Sequence, residues 1–243
     1  MRELTLFTLM TDDHYGWHRR IWCRAIDQLA LPPDTRTVIV DNSIGGLDVP
    51  DADVVRDVSR FPKGTPNRIA FFGGLWQSAL GVISDTDYVM ALDWDVLPQA
   101  TYQQMLAILQ QNPRAGAVAL RTRPSKSRCG WRPNYDMSAW RLKSRNPFDL
   151  EDSMFTPVGN MTLGRTNTCC VLFRYEALAL YRPRRLDGGP AMRGAFESAI
   201  WCDLWENDWE LWIAGELPWC RHYVDETHYI GEKPRVTEET QVG

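Results

Sequence analysis

The sequence predicts an α/β domain in which helices flank a mostly parallel central sheet, and three observations support this class. Short runs of apolar, β-prone residues alternate with longer segments of helical periodicity. Residues 4–10, 15–31 and 37–40 follow one another at the spacing of a strand–helix–strand unit, whose two strands must be parallel. No internal repeat, linker or low-complexity segment interrupts the chain, so residues 1–243 are expected to form a single domain.

Each element of the first half has its own signal. Residues 4–10 are a continuous apolar run typical of a buried strand. Residues 15–31 place their apolar side chains on one broad helical face before two prolines end the helix. Residues 37–40 form a second apolar run, which ends in Asp41 and a turn-forming Asn-Ser-Ile-Gly-Gly sequence.

The second half repeats this alternation with two interruptions. Apolar periodicity predicts helices at residues 67–82, 101–111, 174–180 and 196–214, and apolar runs predict strands at residues 88–92, 115–120 and 167–173. The interruptions are a basic and aromatic insertion at residues 121–165 and a glycine-containing loop, a candidate mobile lid, at residues 182–195.

The run at residues 88–92 ends in two carboxylates, Asp93 and Asp95, on either side of Trp94. Alternate residues of a strand share a face, so both carboxylates are expected to point the same way. Such a pair repels itself unless a cation lies between its members, and hard oxygen ligands suit Mg²⁺ or Mn²⁺ beside a substrate phosphate. A solvated acidic turn is the alternative interpretation of the same residues.

Composition narrows the functional class. The formal net charge of −4 provides no global basic field for nucleic acid, and no apolar run is long enough to span a membrane. The N-terminus has no signal-peptide pattern and the six cysteines have no zinc-ligand spacing. A cytoplasmic protein with reduced thiols is therefore expected.

One segment runs against the overall charge. Residues 121–145, from Arg121 to Arg145, contain eight Lys or Arg residues and one acid, with three aromatic residues interleaved. This pattern suits an anionic or planar partner, so a nucleic-acid acceptor stays open. A solvated flap is the alternative.

The order of these motifs resembles the GT-A fold of inverting, family-2-like nucleotide-sugar glycosyltransferases, over residues 4–231. The motifs that carry the resemblance are the strand end at residues 38–43, the Asn67-Arg68 pair, the Asp93-Trp94-Asp95 motif with its trailing Pro98, the strand at residues 167–174, the segment at residues 207–211, and His228 with Gly231.

The resemblance implies a site for a divalent ion, Mn²⁺ or Mg²⁺, and for a nucleoside-diphosphate sugar, most commonly a UDP-sugar. The implied metal ligands are Asp95, His228 and Asp93, with His222 as the alternative to His228. The implied nucleotide-sugar-binding residues are Thr8, Asp41, Arg68 and Asp93. The implied general base is Asp208, with Glu206 and Glu210 as the fallbacks. Inverting transfer of the sugar to a hydroxyl of a saccharide or another acceptor would follow.

Three other functions compete with this one. A sugar-phosphate nucleotidyltransferase would carry a glycine-rich, basic phosphate loop after the first strand, whereas residues 11–14 are Thr-Asp-Asp-His. A non-catalytic carbohydrate-binding module would need neither the paired carboxylates nor a base. The same transfer chemistry on a hydroxylated base of DNA would use the basic segment at residues 121–145.

Overall fold

The structure is a computed structural model, and its described residues cover most of the chain. They are residues 2–10, 16–43, 49, 52–56, 68–122, 141–144, 146, 150, 159–182, 197–223, 225–227 and 229, with the backbone alone for residues 68–72 and 197.

The described ranges contain strands and helices in an order that agrees with the prediction for the main strands and helices and adds short strands to it. The strands are β1 (Arg2–Met10), β2 (Arg36–Asp41), β3 (Asp53–Arg56), β4 (Thr86–Leu92), β5 (Val96–Leu97), β6 (Ala115–Ala119), β7 (Met161–Leu163), β8 (Cys170–Arg174), β9 (Glu210–Ile213) and β10 (Arg221–His222). The helices are α1 (Trp17–Leu29), α2 (Arg68–Leu80), α3 (Tyr102–Gln111), α4 (Tyr175–Leu178) and α5 (Glu197–Glu206).

Eight strands form one sheet in the order β3-β2-β1-β4-β8-β6-β9-β7. β1, β2, β3 and β4 run parallel, and β9 runs parallel to β6. β8 is antiparallel to both of its neighbours, and β7 is antiparallel to β9. The mostly parallel α/β sheet that the sequence predicts is confirmed.

The sheet is covered on both faces, because its strands are apolar on both sides. One face packs against α1 and α3, with Leu4, Ile21 and Tyr102 among its fully buried side chains. The other face packs against α2, α4 and α5 through residues such as Phe7 and Trp201. This three-layer arrangement leaves the ends of the strands as the places where polar side chains gather.

The two ends of the sheet are distinct. We call the end where β1, β2, β3 and β4 finish the carboxyl edge, and the opposite end the amino edge. The first residue of β8 and the last residue of β6 also lie at the carboxyl edge. Cys170 pairs with Leu92, which ends β4, and Ala119 pairs with Val171. In open α/β sheets, ligands bind at the carboxyl edge.

The helix predicted at residues 196–214 is wrong in its second half. α5 ends at Glu206, and the chain turns into β9 at Glu210. Asp208 has a left-handed backbone with φ 61°, and the Trp209 amide donates to the Leu204 carbonyl at 2.9 Å. This is the Schellman arrangement that ends a helix, here with an aspartate where glycine is usual.

The insertion predicted at residues 121–165 is wrong in its last part, which belongs to the main sheet. Its last part contains β7, which is the outermost strand of the main sheet. Its basic part between residues 123 and 140 and most of the loop predicted at residues 182–195 lie outside the described residues. Along the described stretches, no helix combines the length and the apolar character needed to cross a membrane.

Candidate functional site

The Asp93-Trp94-Asp95 motif forms a turn at the carboxyl edge. β4 ends at Leu92, and the Val96 amide at the start of β5 donates back to the Asp93 carbonyl at 3.4 Å. Asp93 and Asp95 are each partly exposed, whereas Trp94 between them is buried. Both carboxylates are thus accessible from outside, and they lie in a turn rather than in a continuing strand.

The buried Trp94 attaches this turn to the core. Its indole Nε1 donates to the Leu9 carbonyl of β1 at 2.5 Å, and its ring lies 5.2 Å from the ring of Trp22 on α1. On the other side, the Asp93 amide donates to the Cys169 carbonyl at 2.8 Å. The backbone of the motif is therefore held from both of the strands that flank β4.

A histidine from the late part of the chain completes the motif. β10 pairs antiparallel with β5, so that His222 lies opposite Val96, and the Tyr223 amide donates to the Asp95 carbonyl at 2.7 Å. This register brings His222 Nε2 to 3.2 Å from Asp95 Oδ2. The two side chains are 11% and 27% exposed, so their contact lies near the surface of the edge.

This pairing fixes the position of His222. His228, the other histidine considered as a metal ligand, lies outside the described residues. Asp95 and His222 supply one carboxylate oxygen and one imidazole nitrogen side by side. In the part of the chain that the structure describes, no cluster of three or more His, Cys, Asp or Glu side chains is suited to hold a metal. A metal at Asp95 and His222 would therefore need further ligands from outside this described set.

Asp41, which is predicted to bind the nucleotide, lies at the same edge on β2, two strands away from β4. Asp41 ends β2, where its carboxylate accepts from the Ser43 amide at 2.8 Å and forms an ion pair with Arg56 at 3.0 Å. Arg56 ends β3 and lies opposite Asp41 in the register. Neighbouring strands lie about 4.8 Å apart, so Asp41 and the end of β4 are separated by about 10 Å. A nucleoside spans such a gap between a base site and a diphosphate site.

Two further residues, Thr8 and Arg68, are predicted to bind the nucleotide. Thr8 lies within β1, and its buried hydroxyl has no hydrogen-bond partner among the described residues. Arg68 is the first residue of α2, where only the backbone is described. Their assignment to the nucleotide stays a prediction.

The predicted bases Asp208 and Glu206 are not brought to this edge. Glu210 at the start of β9 pairs with Ala115 at the start of β6, which is the amino edge. Asp208 and Glu206 come before β9 in the chain, so they lie at or beyond the amino edge. The length of β9, four residues or about 13 Å, separates them from the carboxyl edge. Glu210 there is engaged by Arg114 and by the Trp212 indole. The register places all three acids at the edge opposite Asp93 and Asp95, which argues against the role of base for them.

The opposite end of α5 does approach the carboxyl edge. At its late turns, Leu204 lies against Gly116 near the start of β6. One turn earlier in the helix, the Trp201 indole donates to the Thr166 carbonyl. Asn167, which follows Thr166 in the chain, donates through its side chain to the Thr122 carbonyl beyond the end of β6.

α5 therefore begins at the carboxyl edge, and its first residue is Glu197. Sequence reasoning missed this acid. The signal was present as a Glu-Ser pair at the start of a helical pattern, directly after a glycine-rich loop.

A pair of buried thiols lies beneath the motif. Cys170 is the first residue of β8, and Cys220 lies two residues before His222. A hydrogen bond with Cys220 and complete burial raise the pKa of Cys170, so this thiol stays protonated at neutral pH. The five cysteines among the described residues are free, and these two act as small apolar side chains.

Arg121, the first residue of the basic segment, follows the end of β6. Its Nη2 donates to the Leu217 carbonyl at 2.6 Å, and its guanidinium lies 4.8 Å from the centre of the Trp219 ring. Burial lowers the pKa of Arg121, although a guanidinium remains charged at neutral pH. These contacts give Arg121 a structural part at the edge.

Comparison by sequence finds no matching family model and no matching curated protein. Comparison by structure finds glycosyltransferases. A solved structure of residues 1–349 of TarS from S. aureus matches with a TM-score of 0.51 and 11% identity, and the match covers 90% of this chain and 59% of that one. A longer TarS structure matches with a TM-score of 0.52 and 11% identity, covering 90% of this chain and 36% of that one.

A second glycosyltransferase gives a similar match. The mannosyltransferase PcManGT from Pyrobaculum calidifontis, solved with GDP-Man and Mn²⁺, matches with a TM-score of 0.50 and 18% identity. This match covers 94% of this chain and 59% of that one. The chain thus spans about three fifths, or less, of these solved structures. It has the GT-A-like fold of nucleotide-sugar glycosyltransferases, which confirms the fold that the motifs imply.

Proposed function

We propose that this protein is a metal-dependent glycosyltransferase that moves a sugar from a nucleoside-diphosphate donor to an acceptor hydroxyl. The observation that carries the proposal is the contact of Asp95 with His222 at the carboxyl edge of a GT-A-like sheet. The neighbour solved with GDP-Man and Mn²⁺ supports both a nucleotide-sugar donor and a divalent ion.

The donor set fits a divalent ion of the Mn²⁺ or Mg²⁺ class. Two adjacent ligands of an octahedral ion with bonds of about 2.1 Å lie about 3 Å apart, and Asp95 Oδ2 and His222 Nε2 are 3.2 Å apart. The mixture of carboxylate and imidazole favours Mn²⁺ over Mg²⁺, because imidazole suits transition metals. When bound, the ion neutralises the charge that develops on the departing diphosphate.

The protein's own residues divide the remaining work. Asp95 and His222 would hold the metal, and the donor's diphosphate would add oxygen ligands to these two. Asp93, one residue before the buried Trp94, is partly exposed, and we assign it to accept hydrogen bonds from the ribose of the donor. Asp41 and Arg56 hold the base end of the nucleotide about two strands away.

The base that takes the acceptor proton is assigned to Glu197. α5 begins at the carboxyl edge, so its first residue is the acid of that helix nearest to the donor site. A single displacement assisted by such a base inverts the anomeric carbon. The acceptor is a hydroxyl compound, and a nucleic-acid acceptor and a cytoplasmic location stay predictions.

Matched carboxamide variants test the proposal. Asp95→Asn and His222→Asn should abolish the stabilisation that Mn²⁺ with a nucleoside diphosphate gives in a thermal-shift assay, because each removes a metal ligand. Asp208→Asn makes the same chemical change at the amino edge and should leave that stabilisation intact. Equal loss in Asp95→Asn and Asp208→Asn, or no metal-dependent shift with GDP, UDP, CDP or dTDP, would refute the proposal.

The base assignment has its own test. Glu197→Gln should lower transfer of sugar by about a hundredfold or more, the usual contribution of a general base, without weakening metal-dependent nucleotide binding. A product of the same anomeric configuration as the donor, determined by NMR, would argue against a single displacement.

A further inference from the structure

An ion pair joins the last residues of β2 and β3, on the nucleotide side of the proposed site. Asp41 and Arg56 lie opposite each other in the parallel register. Arg56 Nη1 donates to Asp41 Oδ2 at 3.0 Å, and its Nη2 donates to the Ser43 carbonyl at 3.3 Å. The guanidinium is therefore held through two of its nitrogens, in one plane.

The two partners differ sharply in exposure. The Asp41 side chain is 1% exposed, whereas the Arg56 side chain is 42% exposed. Both oxygens of Asp41 already accept hydrogen bonds, Oδ1 from the Ser43 amide and Oδ2 from Arg56. Separating the pair would remove the Arg56 cation from a buried carboxylate, which is unfavourable. A base that enters this edge thus meets the guanidinium before it meets the carboxylate.

A guanidinium donates and never accepts, so it selects a base edge that presents acceptors. Each Nη of Arg56 carries a second N–H group beside the one that contacts Asp41 or Ser43. Guanine presents two adjacent acceptors, O6 and N7, which match two neighbouring N–H groups of a guanidinium. Adenine replaces one of these acceptors with an amino donor, and in uracil and thymine an N–H separates the two carbonyls. Cytosine has adjacent acceptors at O2 and N3, but its O2 lies next to the bond to ribose, where the sugar obstructs a planar approach.

We infer that Arg56 is the base-reading residue of the nucleotide site, that it selects a guanine nucleotide, and that Asp41 is the residue that positions Arg56. The inference rests on the proposed function. It changes two expectations from the resemblance, which counted Asp41 rather than Arg56 among the nucleotide-sugar-binding residues and gave a UDP-sugar as the commonest donor.

The first measurement uses the unmodified full chain. Mn²⁺-dependent binding of GDP, UDP, CDP, ADP and 7-deaza-GDP is compared by calorimetry. GDP should bind most tightly, and 7-deaza-GDP, which lacks only the N7 acceptor, should bind about tenfold more weakly because a hydrogen bond to a charged donor is lost.

Variants then locate the effect. Arg56→Lys should bind GDP and 7-deaza-GDP equally, since a lysine cannot make the two-acceptor contact. Asp41→Asn should lower the preference for GDP over UDP while it keeps Mn²⁺-dependent binding of the diphosphate. Arg36→Lys is the matched control, because Arg36 forms an ion pair with Asp53 between the same two strands at the amino edge. It should leave the difference between GDP and 7-deaza-GDP unchanged.

The outcomes separate the inference from the function on which it rests. Equal binding of GDP and 7-deaza-GDP by the unmodified protein, or tighter binding of UDP or CDP than of GDP, overturns the role of Arg56 and leaves the glycosyltransferase proposal standing. Absence of Mn²⁺-dependent binding of every nucleotide overturns the proposed function and this inference with it.

Discussion

Replacing Trp94 by Phe tests how the turn at the proposed metal site is held. The Trp94 side chain is 4% exposed, and its only polar atom donates to the Leu9 carbonyl at 2.5 Å. Phenylalanine keeps an aromatic ring against Trp22 but has no donor for that carbonyl. The substitution therefore removes one anchor of the turn and leaves both of its carboxylates in the sequence.

The magnitude follows from two costs. Leaving a carbonyl without its donor costs about 1–3 kcal/mol, and the lower half of this range applies because Leu9 is partly exposed and water replaces some of the bond. The smaller ring leaves a gap of roughly methyl size, which costs about 1 kcal/mol. The free energy of unfolding should thus fall by about 2–3 kcal/mol, equivalent to a fall in Tm of about 4–12 °C for a chain of this length.

The turn should also affect metal affinity if the proposed metal site is correct. Groups that orient a metal ligand without touching the metal typically contribute a factor of 10–100 to affinity, so Mn²⁺ in the presence of nucleotide should bind about tenfold more weakly to Trp94→Phe. Calorimetric titration with Mn²⁺ below the melting range measures this directly.

Trp201→Phe is the matched control. Its indole donates to the Thr166 carbonyl at 2.6 Å, and its side chain is 1% exposed, but it lies on α5 away from the motif. It should lose a similar amount of stability and keep its Mn²⁺ affinity. If both variants lose the same affinity, or if Trp94→Phe loses none, then the anchor of the turn has no part in metal binding and the reasoning fails.

Three backbone predictions follow from the packing around the sheet. In Gly215→Ala, the new Cβ would lie 1.8 Å from the Gly159 carbonyl oxygen, so we expect little folded protein by circular dichroism. In Gly116→Ala, the Cβ would lie 2.8 Å from Trp209 Cβ, and denaturant unfolding should show a loss of about 1–3 kcal/mol. Asp208→Gly relieves a left-handed residue and should gain about 1 kcal/mol with transfer activity unchanged, whereas loss of activity would restore Asp208 as a catalytic candidate.

Much of the sheet was predictable because its inner strands are buried on both faces. β1, β2, β4, β6 and β8 are continuous apolar runs, and such runs stand out against the polar turns that follow them. β3 was missed because it is a four-residue edge strand with mostly exposed side chains. β9 was absorbed into a helix prediction because Trp209 and Trp212 also fit helical spacing, and nothing in the residue type of Asp208 announces a left-handed turn.

The site was predictable where it is local and unpredictable where it depends on pairing. Asp93 and Asp95 follow directly from one strand end. The choice of His222 depends on the pairing of β10 with β5, which joins residues more than 120 positions apart. Arg56 became visible only through its register with Asp41, since an arginine at the end of a short run carries no signal of its own.

The base assignment shows why motif order alone is insufficient. A short acidic motif has the same letters whether it ends a helix or begins one, but the two ends of a helix packed on a sheet lie at opposite edges. α5 runs from the carboxyl edge to the amino edge, as its contacts with Thr166 and Gly116 show. An acid at its start lies near the proposed donor site, and an acid after its finish does not. The direction of the helix, rather than the similarity of Asp208 to a known motif, is therefore the reason for proposing Glu197 as the base.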